Sequence, residues 1–175
     1  VSPFDNSKSH KEDVSRTYKG FDGYAPILAY LGLEGYMMNV ELRPGKQHCQ
    51  KGTPVFLRET LALTRQLTPA RLLVRLDSGN DDLENLSILT EAEGVDYIIK
   101  RNRRKESKQM WLARAKKVGQ AEEVRPGKIV YRGEIRLTRE LTAQSKKTKC
   151  SLRCVFEVTE RTITAEGQRL LLPEV

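Results

Sequence analysis

The 175-residue sequence predicts an α/β fold, a mixed sheet with flanking helices, followed by a β-rich region. Three observations predict it. Apolar runs at residues 25–31 and 36–42 are joined by a short turn bounded by Gly32 and Gly35, which is the pattern of a hairpin. Two further runs, at 72–76 and 95–99, flank a helical pattern, as in a right-handed strand–helix–strand crossover. Beyond Pro126 the apolar period falls to two, the spacing of half-buried antiparallel strands.

The elements follow in order. Residues 1–24 are polar and rich in Gly and Lys, and read as loop. Residues 25–31 form a buried strand and 36–42 its antiparallel partner, ended by Arg43-Pro44-Gly45. Thr53 is placed to cap a helix with Pro54 at its first position. Leu57, Leu61, Ala62, Leu63 and Leu67 then give an apolar helical stripe. The apolar run 72–76 stops at Asp77, and Ser78-Gly79-Asn80 turns the chain. Asp81 or Asp82 caps a helix from Leu83 to about residue 93, closed by Gly94, and residues 95–99 make the next strand. A mixed sheet with helices packed on it satisfies both the hairpin and the parallel crossover.

The texture changes at Lys100. Lys100, Arg101, Arg103, Arg104, Lys105 and Lys108 crowd into a few positions, and a short helix carrying Met110, Trp111, Leu112 and Val118 follows. Ile129, Tyr131, Ile135 and Leu137 then alternate with Lys128, Arg132, Glu134 and Arg136, and Leu152, Cys154, Phe156 and Val158 repeat the pattern. We expect two domains, an α/β domain over 1–102 and a β-rich one over 103–175.

Lys and Arg number 31 against 23 Asp and Glu, a net charge of +8. Such a balance suits either a basic soluble surface or a polyanionic partner, and charge alone does not choose. The three cysteines are an odd count with no secretory signal before them. Cys150 and Cys154 fall on one strand, about 13 Å apart at the rise of a strand, too far for a bridge. Reduced thiols in a cytoplasm are expected. His48-Cys49 lacks the partner spacing of a zinc site. No apolar stretch approaches the length of a membrane span. The start at Val1 and the apolar end at 170–175 lead us to expect a piece of a longer protein.

Asp77 is the most informative position. It is expected at the carboxyl end of a central strand, just before a strand-to-helix turn, where open α/β sheets place ligands. A carboxylate there can hold a divalent cation. The alternative is that Asp77 only turns the chain, as Asp often does after a strand.

Three segments carry a resemblance. They are Pro3-Phe4-Asp5-Asn6-Ser7, then Thr17-Tyr18-Lys19-Gly20-Phe21-Asp22-Gly23-Tyr24-Ala25-Pro26, then Leu73-Val74-Arg75-Leu76-Asp77-Ser78-Gly79. In this order the chain resembles the DDE transposases of bacterial insertion sequences, strongly over residues 1–100 and by position thereafter. The resemblance implies a ribonuclease-H-like mixed sheet with its first strand incomplete, followed by a β-rich insertion. It implies two aspartates and a glutamate holding two Mg²⁺ ions, DNA as partner, no membrane, a bacterial cytoplasmic location, and room for a homo-oligomer. Asp77 stands as the second aspartate. The first aspartate and the glutamate are expected before Val1 and after Val175, so the chain alone is expected to be inactive.

Asp5 is the alternative first carboxylate and metal ligand, and an Asx turn over Asp5-Asn6-Ser7 is the competing reading. Tyr18, Lys19 and Asp22 lie in a glycine-flanked loop next to the hairpin and are candidate contacts to phosphate or a flanking base, with plain loop structure as the alternative. Arg101, Arg103, Arg104 and Lys105 either contact DNA backbone or form a solvated hinge. Trp111 either stacks on a base or belongs to the core. Rival functions are a non-catalytic nucleic-acid-binding module and a ribonuclease-H-like nuclease of different purpose.

Overall fold

The structure is a computed structural model that describes residues 3–104, 106–143 and 146–175. It divides into two units, Val1–Asn102 and Arg103–Val175.

The first unit holds three small sheets. Strands β1 (Phe4–Asp5), β2 (Ser15–Arg16) and β3 (Asp22–Tyr24) pair in the order β1-β3-β2, antiparallel throughout. Sequence reading takes this segment as loop, because strands of two or three residues are too short to display alternation. Strands β4 (Ile27–Leu31) and β5 (Tyr36–Glu41) form the expected hairpin, with a register break between Ala29 and Tyr30. Strands β6 (Leu72–Leu76) and β7 (Val95–Ile99) pair in parallel, Leu72 opposite Val95.

The strands do not join into the single mixed sheet expected. Among the described residues no backbone ladder joins the hairpin to the parallel pair, so there are two two-stranded sheets. Strand β6 therefore has one partner, β7, and is not the central strand expected. With a free edge on each pair, no residue of β4, β5, β6 or β7 is fully buried.

Helix α1 (Thr53–Leu67) buries Phe56 and Leu57, and α2 (Leu83–Glu91) buries Leu86 and Leu89. Thr53 does not cap α1. The cap is Gly52, and the Thr53 hydroxyl instead donates to the Cys49 carbonyl at 2.6 Å. A side chain bonded back into the preceding loop is not available to the first helical N–H groups. Asp82 does cap α2, accepting from the Glu84 N–H at 2.9 Å. The helix stops at Glu91, and Gly94 accepts from the Leu72 N–H at 2.9 Å as β7 begins.

Among the described residues the second unit holds one helix on one sheet. Helix α3 (Lys108–Val118) is capped by Ser107. Strands β8 (Gln120–Arg125), β9 (Lys128–Ala143), β10 (Lys146–Ile163) and β11 (Arg169–Glu174) form an antiparallel sheet ordered β11-β10-β9-β8. Trp111 and Ala115 of α3 pack on Tyr131, Phe156 and Val158, which the period-two pattern aligns on the inner face. Trp111 is 5 % exposed, with its indole N–H donated to Glu106 at 3.0 Å, so the base-stacking reading of Trp111 is set aside for the core one. Buried Glu160 accepts from Lys116 Nζ at 2.6 Å and from the Tyr131 hydroxyl at 3.1 Å. The Glu160 contact raises Lys116, and burial, then Glu160, raises Tyr131. All three cysteines are free thiols. Among the described residues no helix is long and apolar enough to cross a membrane.

Candidate active site

Strand β6 ends because Asp77 follows its apolar run and turns the chain with its own side chain. Asp77 Oδ1 accepts from the Gly79 N–H at 3.0 Å and from Asn80 Nδ2 at 2.8 Å. Both bonds fall on one oxygen, so Oδ2 of this exposed carboxylate remains open to a ligand. Residues 78–80 make a single 3-10 turn, which Asp77 caps.

The turn is fixed from behind. Asn85, fully buried on α2, donates to the Asn80 carbonyl at 3.1 Å and to Gln50 Oε1 at 3.0 Å. Cys49 Sγ donates to the Gly79 carbonyl at 3.2 Å. A side chain at Gly79 would start 3.0 Å from Cys49 Sγ and 3.2 Å from Asp77 Oδ1, so this close approach favours glycine. Cys49 is in turn tied to Arg43, only 2 % exposed, whose Nη1 donates to the Cys49 carbonyl and to Thr53 Oγ1 at 3.1 Å each. The remaining guanidinium nitrogens Nε and Nη2 meet the Glu41 carboxylate at 3.0 Å. A buried charge with this many partners is satisfied. Two amide oxygens, Asn80 Oδ1 and Asn85 Oδ1, are buried without partners beneath the turn.

Asp77 opens onto a cleft of about 920 Å³. Its walls come from the 16–18 loop, from residues 25–27 at the start of β4, from the loop after β5, and from the end of β6 with its turn. Arg16, Lys46 and Arg75 bring exposed cations to it, and Asp77 is its one carboxylate among the described residues. Arg16 is partly committed, to Asp22 at 3.1 Å and to the Gly20 carbonyl. The cleft is thus a basic concavity around a single oriented carboxylate, suited to phosphate with a cation between.

Of the other sequence-chosen residues of the first unit, Asp5, Lys19 and Arg101 do not line this cleft. Asp5 Oδ1 accepts from the Ser7 N–H at 2.9 Å, the Asx turn of the competing reading, and this bond lowers its pKa. Lys19 follows the cleft residue Tyr18, and its Nζ lies 5.7 Å from the Tyr18 ring centroid. Arg101, Arg103 and Arg104 occupy irregular chain between β7 and α3, and Lys105 lies outside the described residues. Asp81 is buried and accepts from the Asn102 N–H at 2.9 Å, and Asp82 is used as a helix cap. No group of three or more His, Cys, Asp or Glu residues capable of holding a metal occurs among the described residues. Among the described residues the cleft offers one carboxylate ligand, which suits a divalent cation but does not by itself complete a site for one.

Sequence reading missed Arg16, Lys46, Arg75 and Asn80. Arg75 carried a signal, because strand alternation puts it on the side of Asp77. Asn80 carried one too, as a turn residue three positions on with a donor for the carboxylate. Arg16 and Lys46 come from distant loops and carried none.

Over residues 5–166 the sequence matches the family described as Transposase DDE domain group 1, and the chain belongs to that family. The family is a class of DNA-cleaving and DNA-joining enzymes whose domains generally use a divalent metal. Neither a curated protein nor a solved structure matches the chain.

Proposed function

We propose that this chain carries part of a transposase catalytic centre of the ribonuclease-H-like type, and that Asp77 is one of its Mg²⁺ ligands. The observation that carries the reading is the oriented carboxylate. Oδ1 is fixed by Gly79 and Asn80, and Oδ2 is left open in a basic cleft. When bound, two divalent ions supply an activated water and a stabilised leaving oxygen for phosphodiester cleavage. The chain's own share is to hold the carboxylate in one orientation and to attract the DNA backbone with Arg16, Lys46 and Arg75. Arg101, Arg103, Arg104, Lys105 and Lys19 are further candidates for backbone contact. Asp5 is the weaker candidate ligand, since its turn already engages one oxygen. A second reading, a non-catalytic nucleic-acid-binding module, is favoured by the single carboxylate of the cleft.

Mn²⁺ titration followed by amide resonances separates the two readings. Paramagnetic broadening centred on Gly79 and Asn80, lost in Asp77→Asn, is the expected result. Uniform or absent broadening favours the binding module. Supercoiled plasmid should remain unnicked by this chain in Mg²⁺ or Mn²⁺, because one carboxylate holds Mg²⁺ poorly against its hydration. Nicking abolished by Asp77→Ala would show instead that the site is complete within these residues.

A further inference from the structure

Tyr18 stands outside the apolar core. It is 76 % exposed, although it is a large aromatic side chain. The turn that presents it is nevertheless well anchored. Thr17, 4 % exposed, sends both its N–H and its hydroxyl to the Phe21 carbonyl at 2.8 Å. The Gly20 N–H closes the turn on the Thr17 carbonyl at 3.1 Å, and Arg16 clamps the Gly20 carbonyl and Asp22. An aromatic ring on an anchored turn needs little further ordering to bind, which removes a main opposing term in association.

The surroundings define what the ring would meet. Tyr18 lines the cleft that also holds Arg16, Lys46, Arg75 and Asp77. Lys19 Nζ stands within cation–π range of the ring, and the high exposure leaves the rest of the ring open. An apolar ligand would not require the cations, and a bare phosphate would not require the ring. A nucleotide requires both. A base inside a duplex has each face covered by its neighbours, so a single side chain can stack only on an unpaired base. The cleft volume is in the range of sites that enclose a small ligand.

We propose that Tyr18 is a stacking platform for one unpaired DNA base whose adjoining phosphate lies over Lys46 and Arg75 in the same cleft. The inference rests on the reading of DNA as partner and names the form of DNA that the cleft takes. Lys19 supports the platform from the ring side, and Thr17 sets its position.

Fluorescence anisotropy with a labelled oligothymidylate and with a blunt duplex of equal length tests it. Tyr18→Ala should weaken single-strand binding by roughly 5- to 150-fold, the range for loss of one stacked base. Tyr18→Phe keeps the ring and should stay within about twofold of the parent. Duplex binding should change by less than about twofold in either variant, since backbone contacts carry it. The fold is checked by circular dichroism, and the exposed position makes its loss an unexpected result. Equal weakening of both DNA forms by Tyr18→Ala, or no weakening of either, overturns the platform while leaving DNA as partner. Failure of the parent chain to bind either form, or binding that Lys46→Glu and rising salt leave unchanged, overturns the DNA reading and the platform with it.

Discussion

The two units of this chain solve the same problem with different materials. Among the described residues, Arg103–Val175 has one sheet, one helix and one contiguous apolar cluster, centred on Trp111, Phe156 and Val158. Val1–Asn102 has three small sheets, and its main hairpin and parallel pair contain no fully buried residue. Its apolar core is the helix-borne set Phe56, Leu57, Leu86 and Leu89. Much of the rest is polar, with buried Arg43, Thr53 and Asn85 tying loops to the turn after β6. The unit with the cleft is the one held by directional bonds. Such bonds fix a carboxylate's orientation in a way that apolar contacts do not.

That contrast can be broken by mutation. Truncating an apolar anchor should have the largest effect and act on its own unit. Phe156→Ala should cost about 3–5 kcal/mol in the second unit, and Leu89→Ala about 2–5 kcal/mol in the first. Native-state hydrogen exchange, resolved by unit, reads both. Loss of protection across both units from either change would contradict their independence.

Removal of Arg43 should have a smaller, more local effect. Arg43→Ala removes the donor to Thr53 Oγ1 and the cation facing the Glu41 carboxylate, while the Cys49 carbonyl keeps the Thr53 hydroxyl, at about 1–3 kcal/mol. The loop after β5 should lose protection, and the resonances of Cys49 and Gly79 should shift with it. An unchanged Gly79 would mean that the turn does not depend on this buried guanidinium.

Asp77→Asn should hardly alter stability, within about 0.5 kcal/mol, because Asn caps about as well as Asp. Chemical denaturation is the check. A large loss would make Asp77 a structural residue first, and would weaken its reading as a cation ligand.

The smallest expected effect is a pH dependence of the second unit. Lys116 and Tyr131 are both raised in the folded state by their contacts with Glu160 and, for Tyr131, by burial first. Groups raised on folding contribute stability that is fully present below their unfolded values and lost as pH rises through their folded ones. Stability of this unit should therefore decline above about pH 10. Glu160→Gln should flatten that decline. A decline of equal size in the variant would assign it to other groups.

Much of the secondary structure was legible because it depends on local pattern. The alternation around Ile129 and Phe156 placed the long antiparallel strands. The run 72–76, stopped by Asp77-Ser78-Gly79, placed β6 and its turn. Asp82 marked the start of α2 by capping chemistry that acts within a few residues, whereas the helix closes on Ala92 and Gly94 lies beyond it, bonded to Leu72. Thr53 misled, since its hydroxyl chose a carbonyl in the preceding loop over the helix end. The motifs around Tyr18 and Asp77 also sufficed to indicate the family, which the match over residues 5–166 establishes.

What the tertiary structure alone decided is how distant segments meet. Whether four strands make one mixed sheet or two pairs depends on the partners present at each edge, which no local pattern encodes. The cleft combines Arg16, Lys46 and the pair Arg75 and Asp77 from three separated segments. Sequence periodicity reports which face of an element is apolar, and it says nothing of which loops converge on that element's end. Asp77 was therefore visible in the sequence as a residue, and its cationic surroundings became visible only in the folded chain.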